Sequence, residues 1–127
     1  MKLIHLLAIL SLALFTSCSD SPENLVDDQI SFMEEMTELI EEVADGKTSS
    51  ADAAEQIKEW GEKGEKLQER MKALRKEDGA EEAFKDAGKK HEERSKKAMK
   101  DFFSAMQKLQ KSGRMTKELQ EAIRNVK

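Results

Sequence analysis

The side chains that could carry chemistry are few and scattered. Cys18 is the only cysteine among 127 residues, so no disulfide can form within the chain. His91 is the only histidine after the first few residues, and Met33 and Met36 lie three residues apart. That spacing would place two thioethers on one side of a helix. Because thioether sulfur favours soft ions such as Cu(I), Met33, Met36 and His91 are the candidate metal ligands.

An ordinary helical core explains the same residues, and we favour that interpretation. The methionines share apolar stripes with Ile, Leu and Phe, where methionine is an adaptable filler. A single histidine on such a stripe is usually half-buried and hydrogen-bonded, although its charge changes near neutral pH. The sequence therefore predicts neither a metal site nor a cofactor.

Adjacent acidic pairs such as Glu34–Glu35 and Glu92–Glu93 do not suggest a catalytic dyad. Neighbouring residues of a helix point about 100° apart, so the two carboxylates do not converge. The sequence also lacks a Gly-rich phosphate loop, a zinc-ligand spacing and a nucleophile motif. We therefore expect a protein that is not an enzyme.

The chain begins with an apolar segment behind a positive residue. Lys2 precedes 13 uncharged, mostly apolar residues from Leu3 to Phe15. As a helix this run would span about 20 Å, which is short of the roughly 30 Å hydrocarbon core of a bilayer. Its length, and the small residues after it, are typical of a secretory signal peptide, which we assign to residues 1–17.

The segment ends in Phe15-Thr16-Ser17-Cys18, which resembles the lipobox of bacterial lipoproteins. Thr16 and Ser17 match the small residues of that motif, and Phe15 stands where leucine is usual. The resemblance, which covers only these first 18 residues, implies cleavage before Cys18 and attachment of acyl chains such as palmitate. It makes membrane lipid a partner of Cys18, with residues 18–21 as a short tether.

Two other interpretations of the amino terminus remain open. Cys18 could be a free thiol behind an ordinary signal peptide, or the segment could stay uncleaved as a membrane anchor. The lone cysteine directly after the apolar run favours lipid attachment. Ser19 resembles the residue that follows the cysteine in outer-membrane lipoproteins of enteric type, whereas Ser19-Asp20 partly resembles surface-export signals of another bacterial group. Sorting stays open between these two resemblances, and the outer membrane is favoured over the inner one.

Beyond residue 21, glycines and capping residues divide the chain into four predicted helices. A single proline and a charged fraction of 38% are typical of long helices with narrow apolar seams. Breaks are expected at Gly46, Gly79 and Gly113. The predicted helices are residues 22–45, 50–77, 80–111 and a short fourth helix over 117–126.

Apolar residues of the long helices recur at alternating intervals of three and four, as in coiled coils. An antiparallel register sets Ile40 opposite Ile57 in helices one and two, and Leu67 opposite His91 in helices two and three. Both registers place the turns at the predicted glycines. We therefore predict an all-α fold for residues 22–127, an up-down-up three-helix bundle capped by the short fourth helix.

The fourth helix is predicted to pack on helix three. Folding back at Gly113 would lay one apolar stripe on another, namely Leu119, Ile123 and Val126 on Met99, Phe103 and Met106. The main structural alternative is a continuous rod formed by helices two and three, which the Asp78-Gly79 pair disfavours.

Charge is distributed unevenly along the chain. Residues 19–46 carry ten acidic side chains and no basic ones, whereas residues 80–112 carry nine basic and six acidic ones. We expect the acidic first helix to pack against the more basic third helix. Nucleic acid is not an expected partner, because helix one is strongly acidic and export separates the protein from nucleic acid.

These observations lead to one expected function and two alternatives. We expect a membrane-anchored lipoprotein of the bacterial cell envelope, acting as an interaction or structural module that binds another envelope protein or forms a homo-oligomer. One alternative is an envelope carrier for a ligand or for copper. The other is a murein-type lipoprotein, since short helical lipoproteins of that type end in a lysine linked to peptidoglycan and this chain ends in Lys127.

Overall fold

A computed structural model describes residues 20–126, and this range is all-helical, with no strand in it. The signal peptide, Cys18 and Lys127 of the sequence predictions lie outside the described residues. No helix within the described range is long and apolar enough to cross a membrane. The helices are α1 (Pro22–Ala44), α2 (Ser50–Leu74), α3 (Ala80–Lys90), α4 (Glu92–Ser112) and α5 (Lys117–Asn125).

Hydroxyl side chains start three of these helices where the sequence predicted caps. In each case the side-chain oxygen accepts a hydrogen bond from the backbone N–H three residues later, at 3.1–3.2 Å. Such a cap contributes about 1 kcal/mol, because it satisfies an amide that has no partner inside the helix. The pairs are Ser21 with Asn24, Ser49 with Asp52, and Thr116 with Leu119.

The predicted third helix is not continuous. His91, with φ −101° and ψ 11°, interrupts it between α3 and α4. The His91 amide still donates to the Ala87 carbonyl at 3.1 Å, and the Ser95 amide donates to the His91 carbonyl at 2.9 Å. The interruption is therefore a local distortion, since the hydrogen-bond pattern of a helix passes through it.

A true break separates α2 from α3, so helices two and three do not form one rod. Helix α2 ends at Leu74, three residues before the predicted end. Gly79 then takes a left-handed conformation, with φ 76°, directly before α3 begins at Ala80. Glycine adopts this backbone conformation without the steric cost that a Cβ would add.

Helix α1 is the centre of the arrangement. It packs most extensively against α4 and also packs against α2 and α3. Within the described range, neither α3 nor α4 approaches α2 closely along its length. The predicted register that set Leu67 opposite His91 is therefore wrong, because α1 separates the helices that were expected to face each other.

Helix α1 buries two stripes of side chains, whereas the register prediction used only the one that contains Ile40. Ile30, Thr37 and Ile40 form the first stripe and are buried. A second stripe on the side toward α2 is buried as well, and it consists of Leu25, Met36, Leu39 and Val43. Two stripes on one helix fit a position between two neighbours.

The main hydrophobic cluster lies near the Gly46 and Gly113 turns. Its fully buried large side chains come from α1, α2, α4 and α5, and they are Ile40, Val43, Ile57, Leu109 and Leu119. The core is therefore concentrated at one end of the molecule rather than spread evenly along it.

The predicted packing of the fourth helix on helix three is wrong. Helix α5 packs mainly against α2, where Leu119 and Ala122 are buried. On α4, Met99 and Phe103 stay uncovered, with exposed fractions of 47% and 61%.

Contacts between residues distant in the sequence direct α5 toward α2. The Ser50 hydroxyl donates to the Arg114 carbonyl at 2.5 Å, and the Lys58 ammonium contacts the Glu118 carboxylate at 3.1 Å. No periodicity within helix three or four could have indicated these partners.

Gly46 and Gly61 provide a matched test of this packing. Gly46 has φ 77°, and a Cβ at this position would collide with the Arg114 guanidinium. We expect Gly46→Ala to lower the free energy of unfolding by about 1–2 kcal/mol, the cost of a left-handed non-glycine residue. At Gly61, inside α2, a Cβ would meet no atom within 4 Å. Gly61→Ala should therefore raise the stability by up to about 1 kcal/mol.

Urea denaturation of the two variants measures both effects. Equal changes in the two variants would contradict the structure of the Gly46 turn.

Candidate functional site

A groove lies between α2 and α4, because these two helices pack on α1 without closing on each other. It holds an open cavity of about 250 Å³. Residues of α1 form the floor and α2 forms one wall. Phe102 alone represents α4 on the opposite wall, and Ile123 and Val126 at the end of α5 close one side. The residues that line it are Gln29, Phe32, Met33, Met36, Gly64, Leu67, Gln68, Met71, Phe102, Ile123 and Val126.

Helical spacing positions the floor and the α2 wall. On α1, Gln29, Met33 and Met36 are separated by four and three residues and therefore follow one side of the helix. On α2, Gly64 and Met71 lie two turns apart on the same side. Gly64 has no side chain, so it contributes only backbone to the α2 wall.

The chemistry of the lining is uniformly uncharged. None of the lining residues is titratable, and the polar ones are the amides Gln29 and Gln68. Such a surface gains free energy by burying apolar groups, about 25 cal/mol for each Å² removed from water. The arrangement is suited to binding an apolar group, and it offers no acid, base or nucleophile for catalysis.

The structure brings together two of the three candidate metal ligands. Met33 and Met36 line the groove, and Met71 of α2 adds a third thioether from the facing helix. The sequence alone does not identify Met71 as part of this set, because its proximity to Met33 depends on how α2 packs on α1. The described residues contain no group of three or more His, Cys, Asp or Glu side chains that could hold a metal ion.

His91 does not line the groove. Its side chain is 18% exposed, and its Nε2 atom lies 3.8 Å from the Glu23 carboxylate of α1. Nε2 is buried and has no hydrogen-bond partner in the part of the chain that the structure describes. His91 therefore belongs to the contact between the α3–α4 junction and the start of α1.

An exposed apolar stripe borders the groove on its α4 side. Phe102 lines the cavity, and the ring of Phe103 lies edge-on to it, with centroids 6.1 Å apart. Met99 is four residues before Phe103, so the two form one stripe on the helix surface. The apolar wall of the groove thus continues onto the outside of α4.

Ion pairs fix α1 to both of its neighbours, as its acidic composition predicted. Arg94 of α4 holds Glu34 through two hydrogen bonds of 2.7 and 3.0 Å and also contacts Asp27 and Ser31. The other pairs on α1 are Lys90–Glu23 at 2.5 Å, Lys108–Asp45 at 2.6 Å, Lys63–Glu35 at 2.8 Å and Arg70–Asp28 at 3.3 Å.

A second and larger depression lies beside the Gly79 turn, with a volume of about 640 Å³. It is wide open, and its lining mixes charges of both signs, including Arg75, Glu81 and Lys85. Solvated charges of opposite sign provide little net attraction for any one class of ligand. We therefore place the candidate site in the smaller apolar groove.

Comparison with protein-family models, curated proteins and solved structures finds no match to this chain.

The ion pairs of α1 predict how stability depends on pH. The hydrogen bonds from Arg94 lower the pKa of Glu34 below its usual value of 4.5. A carboxylate with a lowered pKa stabilises the fold above its ordinary pKa, and that contribution is lost as the pH falls through the lowered value. We expect stability to decrease below pH 4.5, and we expect Arg94→Met to reduce this decrease.

Thermal melts at stepwise lower pH measure this slope. The effect should be modest and weaker at high salt, because Glu34 is 46% exposed. The control is Lys66→Met, which removes an exposed lysine of α2 for which residues 20–126 provide no carboxylate partner. An equal change of slope in both variants would show that Arg94 has no specific part in it.

Proposed function

We propose that this protein is a lipid-anchored, non-enzymatic protein of the bacterial cell envelope that binds an apolar segment of a partner protein. The observation that carries the proposal is the uncharged groove between α2 and α4. Grooves of this kind between helices usually bind the apolar face of an amphipathic helix from a partner protein. The exposed stripe of Met99 and Phe103 at its edge supports the proposal, because exposed apolar surface often marks an interaction site.

The anchor in this proposal is Cys18, carrying acyl chains in the outer membrane after removal of residues 1–17. The contacts at the start of the helical domain support a short distance between the anchor and the helices. Arg70 of α2 contacts the Asp20 carboxylate at 2.7 Å, so the chain is held against the helices two residues after Cys18. Two residues span at most about 7 Å, which would keep the domain at the membrane surface.

We also propose that α1, α2 and the α3–α4 pair run up, down and up. Two ion pairs support opposite directions for α1 and α2. Glu35 pairs with Lys63, and Asp28 pairs with Arg70. Moving back seven residues on α1 therefore corresponds to moving forward seven residues on α2. In the pairs between α1 and the later helices, the residue numbers of both partners increase in the same direction. Glu23 with Lys90, Asp27 with Arg94 and Asp45 with Lys108 indicate a parallel direction.

Photo-crosslinking in the living cell tests the groove and the anchor together. We expect p-benzoylphenylalanine in place of Gln68, at the rim of the groove, to give a discrete protein adduct in the membrane fraction. The same residue in place of Glu59, an exposed position of α2 that does not line the groove, should give none. Absence of a position-specific adduct would contradict the binding role.

The Cys18→Ala variant is the control for the anchor in the same experiment. It should leave the membrane fraction, because the hydrophobic contribution of the acyl chains, about 0.8 kcal/mol for each CH₂, is lost. Retention of this variant in the membrane would contradict lipid attachment at Cys18.

A second candidate function is a carrier for Cu(I), favoured by one observation. Met33, Met36 and Met71 line the same cavity, and thioethers are soft ligands that suit Cu(I). This function predicts that the domain competes with the chelator bicinchoninate for one Cu(I). Met33→Leu and Met71→Leu, which nearly preserve volume, should abolish the competition without unfolding the core.

His91→Gln is the matched control for the copper experiment, because His91 lies outside the cavity. It should leave Cu(I) binding unchanged. Identical titrations for the natural chain and the two leucine variants would exclude the carrier function.

A further inference from the structure

The exposed stripe on α4 identifies a partner for the groove. We propose that the occupant is a second copy of this chain, with Met99 and Phe103 of each copy inserted into the groove of the other. This inference rests on the proposed function and names the partner at the same site. It uses three observations: an exposed apolar stripe, a cavity of suitable size, and their positions side by side.

Met99 and Phe103 are the large hydrophobic side chains that the described part of the chain leaves exposed, at 47% and 61%. They are spaced four residues apart on a helix, which is the pattern of an anchor for a groove between helices. No other helix among residues 20–126 packs over them, because α5 packs against α2 instead. A second copy would remove this apolar surface from water.

The size of the cavity suits an aromatic ring. Its volume is about 250 Å³. A cavity of about 150 Å³ between apolar side chains is sufficient to hold benzene. The lining already includes aromatic rings and flexible methionines, such as Phe102 and Met71, that can adapt around an inserted Phe103.

The positions of stripe and cavity permit a closed pair. Phe102 lines the cavity and Phe103 lies beside it on the same helix, so the inserting residues and the receiving surface share one side of the molecule. A two-fold axis beside α4 would place each stripe in the opposite groove, and every contact would form twice. The interface then closes on itself and does not extend into a filament.

Charges next to these surfaces are complementary. Lys100 lies between Met99 and Phe103 in the sequence, is exposed, and has no carboxylate partner among residues 20–126. On α2, Glu65 and Glu69 follow the lining residues Gly64 and Gln68 and are likewise exposed, and they outnumber the exposed Lys72 that follows Met71. Opposite charges at the rim of an interface favour one register and one partner.

The packing of α5 shows that a helix can fit into this groove. Its far part is occupied by α5, whose Leu119 and Ala122 are buried and whose Ile123 contributes to the cavity wall. The open part continues from the end of α5 between the same two helices. A second copy's α4 would therefore extend a helix packing that the chain already uses.

The membrane-anchored full chain with p-benzoylphenylalanine at Gln68 also provides the test of this inference. We expect an adduct of twice the chain's mass, with the crosslinked peptide mapped by mass spectrometry to the part of α4 around Met99 and Phe103. Phe103→Ser should reduce the yield roughly tenfold, because a central aromatic anchor usually dominates such an interface. Lys111→Ser, at an exposed position two turns further along α4, should leave the yield unchanged.

The other outcomes separate this inference from the proposed function. An adduct with a different protein, or one unchanged by Phe103→Ser, would overturn the second copy as occupant and leave the groove as a binding site. A double-mass adduct that maps outside α4 would also overturn it. Thermal melts verify that Phe103→Ser remains folded, which is expected because the side chain is exposed.

Discussion

Helix α1 must pack against α2 on one side and against α4 on the other, and the rest of the structure follows from that requirement. It buries one apolar stripe toward α4 and another toward α2, and its carboxylates are held by cations from both sides. Because α1 separates α2 from α4, those two helices cannot close on each other. The groove is therefore the space that remains when a central helix keeps two others apart, and Met33 and Met36 of α1 form its uncharged floor.

The burial of large side chains divides the molecule into two regions. Near the Gly46 and Gly113 turns, four helices enclose a complete core around Ile40, Ile57 and Leu109. Beyond the end of α5, only three elements remain around the groove, and Met33 and Met71 are half-buried. One end of the bundle thus provides most of the stability while the other leaves apolar surface free to bind. This division explains how a small, highly charged domain can hold an open groove and remain folded.

Local chemistry made the elements predictable, whereas the arrangement depended on contacts that no local pattern contains. Caps at Ser21, Ser49 and Thr116 and glycines at the turns specify the helix limits within a few residues. The pairing of helices two and three was wrong, because seams with a heptad spacing match at several registers and the ion pairs of α1 decide among them. Of the site, Met33 and Met36 were identified from their spacing. Met71 and Phe102 join them only through the tertiary fold, and His91 lies elsewhere.

The pairing of α1 with α4 also determines when the protein can fold. The partners Glu23–Lys90 and Asp27–Arg94 are separated by 67 residues, and the Arg114 segment that packs on Gly46 comes later still. A chain that emerges amino terminus first can form the α1–α2 hairpin early, but its central helix lacks its principal neighbour until most of α4 is available. Contacts of such long sequence separation slow folding. The order of the elements therefore prevents the complete fold from forming until the lysines and arginines of α3 and α4 have been synthesised.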